Sequence, residues 1–187
     1  MTNVTYLNNQ FIIAMPTLVD SYFFHTVTYM CQHNDEGALG IIINRCTAMK
    51  LGDIFKQMKI PVTSETAAKA LVFAGGPMQQ ERGFVLHPTS GSWDMSIEVS
   101  DSISLTTSRD IIEAIALDKG PETYLVALAY AGWGGGQLEK EILANSWLNS
   151  PYGDKILFNT PVDLRWKAAA DQIGININKL TIPAGHA

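Results

Sequence analysis

Apolar and polar positions along the chain fall into short runs, most of them strand-sized. Phe11–Met15 is a continuous apolar run stopped by Pro16, the pattern of a buried strand. His25–His33 alternates loosely and is rich in β-forming residues (Thr26, Val27, Thr28, Tyr29). Asn34–Gly37 carries turn residues and Ala38–Asn44 is apolar again, which predicts a hairpin. Leu51, Ile54, Phe55 and Met58 recur at helical spacing, one apolar face of a helix ended by Pro61. Residues 62–70 read as loop or loose helix. Leu71–Ala74 predicts a strand running into Gly75-Gly76-Pro77, and Gly83–His87 another, closed by Pro88. Met95–Val99 and Ile103–Thr106 predict two short paired strands. Thr107 or Ser108 caps a helix over residues 109–118, with Asp110 and Glu113 near its positive end.

Tyr124–Tyr130 is the most strand-like stretch. The glycine cluster Ala131-Gly132-Trp133-Gly134-Gly135-Gly136-Gln137 reads as a flexible turn that feeds a helix over residues 137–146. Lys155–Phe158 predicts a last strand. Pro161 leads into a helix over residues 163–173, with Trp166, Ala169 or Ala170, and Ile173 inward and Gly174 at its left-handed end. Runs of strands with helices scattered between them predict an α+β fold with a mixed or antiparallel sheet, not a regular βαβ repeat. No repeat, linker or low-complexity tract divides the chain, so residues 1–187 read as one domain.

Composition narrows the classes. The formal charge is −5, from 13 basic and 18 acidic residues, and only 17% of residues are charged. That excludes a basic nucleic-acid clamp and a disordered tail. No apolar run reaches the roughly 20 residues that span a bilayer. The first basic residue is Arg45, which excludes a secretory leader with a basic start and predicts a cytoplasmic protein. Two cysteines, Cys31 and Cys46, with no CxxC, predict packed thiols rather than a disulfide framework. Low charge content also leaves room for a self-association face, so a homo-oligomer is one expectation.

Tests for known chemistry mostly fail. A dinucleotide fingerprint needs glycine where Gln137 or Glu139 stands, and no Walker A run exists. None of the four histidines has a neighbour at metal-ligand spacing, so no metal or other cofactor is expected. Glu139 and Glu141 lie about 200° apart on a helix and do not form a shared-proton pair. Gln137, Glu141 and Asn145 do share one stripe. Such a stripe is a solvated face, or the polar wall of a cleft beside Trp133.

Five segments then resemble the AlgH/YqgE family of bacterial proteins, over essentially the whole chain. They are Phe11–Pro16; His33 through Asn44-Arg45; Gly75-Gly76-Pro77 with Arg82–His87; Tyr130–Trp133 through Gln137-Leu138-Glu139 and Glu141; and Asn145–Leu148 with the ending Gly185-His186-Ala187. Two positions depart from the family pattern, Cys46 and Gly135, where the family usually has proline. The resemblance implies a mixed, bifurcated β-sheet folded into a pseudo-barrel with flanking helices. It implies no established activity. Some members carry the label of transcriptional regulator, which the acidic composition here does not support as direct DNA binding.

These observations predict a non-enzymatic binding or regulatory protein, holding a small molecule or a protein partner. The cleft is expected where Gly75, Gly76, Arg82, His87, Trp133, Gln137, Glu139 and Glu141 meet. Asn44 and Arg45 are further candidates, and Arg45 or Arg82 would supply charge. The alternative is an enzyme in which His87 or His33 pairs with a glutamate as acid and base. A fold that separates Trp133 from His87 excludes the shared cleft.

Overall fold

A computed structural model describes residues 5–180. Ten strands form one curled sheet. They are β1 (Gln10–Ala14), β2 (Val27–Asn34), β3 (Gly37–Ile42), β4 (Cys46–Lys50), β5 (Leu71–Ala74), β6 (Met78–Pro88), β7 (Ser96–Glu98), β8 (Ile103–Thr106), β9 (Leu125–Gly134) and β10 (Trp147–Pro151). The helices are α1 (Leu51–Gln57), α2 (Glu65–Ala68), α3 (Arg109–Ala116), α4 (Gln137–Leu143), α5 (Asp154–Phe158) and α6 (Arg165–Asp171). The strand order is β10-β1-β2-β3-β9-β6-β8-β7, with β4 and β5 branching from β9. All pairings are antiparallel except β5 with β9. The expected α+β class and the bifurcated sheet are both present.

β9 is the spine. Along one edge it pairs with β6. Along the other it pairs first with β5, Val72–Ala74 against Val126–Leu128, and then with β3, Gly37–Gly40 against Gly134–Ala131. The fork between β5 and β3 is filled by Gly75 and Gly76. Gly75 donates its N–H to the Leu128 carbonyl and accepts from the Ile42 N–H. A Cβ on Gly76 would lie 1.9 Å from the Tyr130 carbonyl carbon, so only glycine passes.

Just beside this crossing, Ala129 has φ 68°, a left-handed conformation inside a strand. It shifts the phase of the alternation. Before it, Leu125 and Ala127 face the main core with Phe84 and Leu86. After it, Tyr130 turns to that side, while Ala131 and Trp133 face outward. The inner face encloses the main core with β1, β2 and α6. The outer face is covered twice, by α1, α2 and α3 over Val72, Val85 and Val126, and by α4 over Ile12, Met30 and Trp133.

Several expectations change. The run Lys155–Phe158 is helical, within α5. A short apolar run does not distinguish buried strand from buried helix, and here Ile156 and Leu157 bury one side of a single turn. The first half of the glycine cluster is strand, because β9 continues to Gly134 by pairing with β3. β4 and β10 lie where no strand is predicted, and α2 gives residues 62–70 a short helix. The helices after Ser108 and Gly136 end two or three residues early. The last helix splits into a 3-10 turn, Val162–Leu164, and α6, followed by Gly174 at φ 74° as expected. Cys31 is buried and Cys46 exposed, both free. The ending Gly185-His186-Ala187 lies outside the described residues.

Gly76→Ala forces the fork apart. Its cost is about 3 kcal/mol or more, a Tm lower by about 6–12 °C in a thermal melt. A variant melting within 2 °C or so of the parent would show that the crossing is not tight.

Candidate functional site

Trp133 is buried, so it does not form the open wall of a cleft. Its alternation in β9 puts the indole under α4, where it meets Trp147 edge-on at 6.0 Å and Phe23 at 6.0 Å. Glu141 holds both indoles. Its Oε2 accepts from Trp133 Nε1 at 2.9 Å and Trp147 Nε1 at 2.8 Å, and its Oε1 accepts from Gln137 Nε2 at 3.0 Å. Gln137 in turn accepts the Gly134 N–H. The predicted polar stripe is cut short, because α4 ends before Asn145, which has φ 58°; its other two members, Gln137 and Glu141, latch α4 onto β9 and β10.

Glu139 faces β2. Its Oε1 is 2.9 Å from His33 Nε2, while the Leu7 N–H donates to His33 Nδ1 at 3.0 Å. The amide can only donate, so Nδ1 carries the lone pair and Nε2–H donates to the carboxylate. Tyr6 covers the ring edge-on at 5.2 Å and its hydroxyl donates to Asp35. A histidine–glutamate pair is therefore present, as the enzyme reading requires. Both ring nitrogens are already committed, and protonation at Nδ1 costs the Leu7 bond.

His87 lies elsewhere. Leu86 pairs with Leu125, eight residues before Trp133, which puts the two roughly 25 Å apart along β9. The shared cleft spanning His87 and Trp133 does not form, because β6 leaves β9 at the far end. His87 Nδ1 is 2.8 Å from the Pro88 carbonyl, which only accepts. So Nδ1–H donates there, and Nε2 accepts from Thr106 Oγ1 at 2.7 Å. Burial pushes this histidine below its ordinary pKa, against a smaller opposing pull from the Pro88 carbonyl. The ring is buried and wired at both ends.

The other candidates border the fork. Asn44 clamps the start of β2, accepting from the Val27 N–H at 2.9 Å and donating to the His25 carbonyl at 2.8 Å. Arg45 donates to the Phe24 carbonyl at 2.6 Å and lies 5.8 Å from the Tyr22 ring. The Tyr22 hydroxyl reaches the Gly76 carbonyl at 2.6 Å. Arg82 sits 5.3 Å over the Phe84 ring, which meets Tyr130 edge-on at 5.6 Å. Gly76 lies against Tyr130, and Arg82 reaches the same residue only through Phe84.

Here the surface opens. Gly132 and Gly134, on the face of β9 opposite Trp133, are exposed. They border a shallow groove of about 420 Å³ whose sides are Tyr130, Met78, Leu39, Gln32, Asn34 and Glu36. A Cβ at Gly134 would meet nothing closer than Gln137 Oε1 at 3.9 Å, so packing does not demand glycine there. Glycine within a strand marks close approach by another group. The glycine cluster drew the candidate cleft to this region, but it reads as a turn, and which face of β9 is bare depends on the phase shift at Ala129. Among the described residues no cluster of three His, Cys, Asp or Glu is arranged to hold a metal ion. No helix among them is long and apolar enough to cross a membrane.

The AlgH-like family matches residues 11–178. The chain belongs to that family. It is 52% identical to a UPF0301 protein of Methylococcus capsulatus over 97% of this chain and 96% of the relative. It is 50% identical to a UPF0301 protein of Thioalkalivibrio sulfidiphilus over the full length of both. The solution structure of the AlgH protein from Pseudomonas aeruginosa superposes with a TM-score of 0.81 at 41% identity, covering 100% of this chain and 99% of that one. A protein of Corynebacterium diphtheriae, 16% identical, shares the fold at a TM-score of 0.75, over 97% of this chain and 95% of that one. The AlgH-like assignment brings no reaction with it.

Three measurements check the wiring of this AlgH-like chain. Glu141→Ala leaves two buried indole N–H groups without an acceptor and costs about 2–5 kcal/mol in urea unfolding, whereas Glu141→Gln, which keeps an acceptor oxygen, costs less. In long-range ¹H–¹⁵N spectra at neutral pH, His33 is the Nε2–H tautomer and His87 the Nδ1–H tautomer. The depressed value of His87 also has a sign. Its neutral form is favoured in the fold, so its contribution is complete above the unfolded value of about 6.5 and is lost as pH falls through the lower folded one. The parent accordingly loses stability below pH 6.5 more steeply than His87→Gln.

Proposed function

We propose that this protein is a non-enzymatic binding protein whose binding surface is the glycine-floored groove beside the fork. The carrying observation is Gly134: a strand position left bare, exposed and in ordinary backbone conformation, where a side chain would fit. Gly132 extends the bare floor. Tyr130, Met78 and Leu39 supply apolar walls, and Gln32 and Glu36 offer acceptors at the rim. This chemistry suits a flat ligand, or an extended peptide segment, that lies against the strand and donates hydrogen bonds to that rim.

The histidines support the non-enzymatic reading. His33 and His87 each have both ring nitrogens engaged, and Glu141 holds two indoles. Acid–base work would have to break bonds that hold the fold. A cytoplasmic setting and a regulatory role remain part of this proposal, and on this reading any effect on transcription runs through the bound ligand or partner.

A thermal-shift panel of nucleotides, amines and common metabolites at millimolar concentration tests it. A ligand at 100 times its Kd raises stability by about 2.7 kcal/mol, or about 5–10 °C for a chain this size. Gly134→Val keeps the parent melting temperature within about 3 °C and abolishes the shift. A silent panel, or a hit that survives Gly134→Val, rejects the groove as a small-molecule site.

A further inference from the structure

The outer face of the sheet holds a second opening, where Gly83 of β6 pairs with Leu128 of β9. Helices α1 and α3 pack over Val72, Val85 and Val126, but their cover stops short of Gly83 and Leu128. A cavity of about 640 Å³ remains between helices and sheet. That lies inside the range of roughly 300–1,000 Å³ typical of small-molecule sites.

We propose that this cavity is a binding site for an aliphatic chain bearing an uncharged, hydrogen-bonding head. Its floor is Gly83, Val85 and Leu128, and its walls include Met49, Met58 and Ile112. Among the described residues no aromatic side chain lines it, so these offer no ring for an aromatic ligand to stack on. Two methionines give it walls that adapt to chain length and shape. Gly83 is the decisive position. A Cβ there would meet nothing within 4 Å, and its backbone is not in the left-handed region. A β-branched residue suits a strand better than glycine does, and its side chain would occupy the part of the cavity that lies over Gly83.

The rim selects the head group. Gln57, Gln80 and Thr107 present amides and a hydroxyl. Arg109 stands at the rim too, but its Nε is 2.5 Å from Glu113 and its Nη2 donates to the Met58 carbonyl at 3.0 Å. The charge left at the rim without an ion pair is Glu81, which repels a carboxylate. An alcohol or amide head meets the rim without opposing charge.

The test uses the full chain with ¹³C-methyl methionine. Titration with 1-decanol shifts the Met49 and Met58 methyl resonances saturably, and decanoate binds at least tenfold more weakly. Gly83→Val melts at or above the parent temperature and loses at least tenfold in decanol affinity, with Gly83→Ala between. Gly134→Val, which closes the groove, binds decanol as the parent does, so the two sites fail independently. Absence of saturable methionine shifts in the parent overturns the proposal, as does parent-like affinity in a folded Gly83→Val. Tighter binding of decanoate than of decanol overturns the assignment of the head group.

Discussion

The passage of Gly75 and Gly76 across the backbone of β9 is the contact on which the rest of the fold depends. β9 has to serve two neighbours on one edge, a parallel strand and then an antiparallel one. They diverge, and the wedge between them must be filled by backbone that still satisfies its hydrogen bonds. Gly75 does so with one bond to each side, to Leu128 and from Ile42. Gly76 then lies directly against Tyr130. The left-handed Ala129 under this crossing reverses which side chains face inward. A single phase shift thus lets one long strand feed a continuous inner core and two separate outer ones. It also turns Trp133 under α4 and leaves Gly132 and Gly134 bare on the other side.

That dependence explains what was legible in the sequence. Helices α1 and α3 are readable because their apolar spacing is helical and their ends carry ordinary stop signals. Strands β1, β3 and β5 are readable from their apolar runs, and β2 from its β-forming residues. β4 is not, since its alternating exposed and half-buried residues carry no apolar face. β10 is not, because its assignment comes from pairing with β1 across a long separation in sequence. The glycine cluster misleads for a related reason. Local composition favours a turn, but pairing with β3 overrides it.

The candidate residues show the same division. Their neighbourhood was legible: Gly75, Gly76, Arg82 and the Trp133–Glu141 segment gather around the second half of β9. Their roles were not. An indole and a carboxylate eight residues apart suggest a cleft wall, and only the fold reveals that a second indole, Trp147, makes the carboxylate a buried junction. His87 belongs to a different neighbourhood, because β6 runs antiparallel to β9 and carries it to the opposite end.

The two surfaces proposed for binding are marked by the absence of a side chain rather than the presence of a reactive one. Several of the polar groups in the interior are engaged by the fold. Arg165, buried over the Phe73 ring at 5.2 Å, spends its guanidinium on the Ile43 and Thr160 carbonyls. His33, His87 and Glu141 are similarly engaged. Buried polar groups cost stability unless paired, so a chain with few charges uses those it buries as joints. Gly134 and Gly83 obey no such constraint. Neither has a positive φ or a crowded neighbour, although Gly83 borders the register shift between β6 and β9 and Gly134 ends its strand. On the proposed reading, the space these glycines leave is the space a ligand takes.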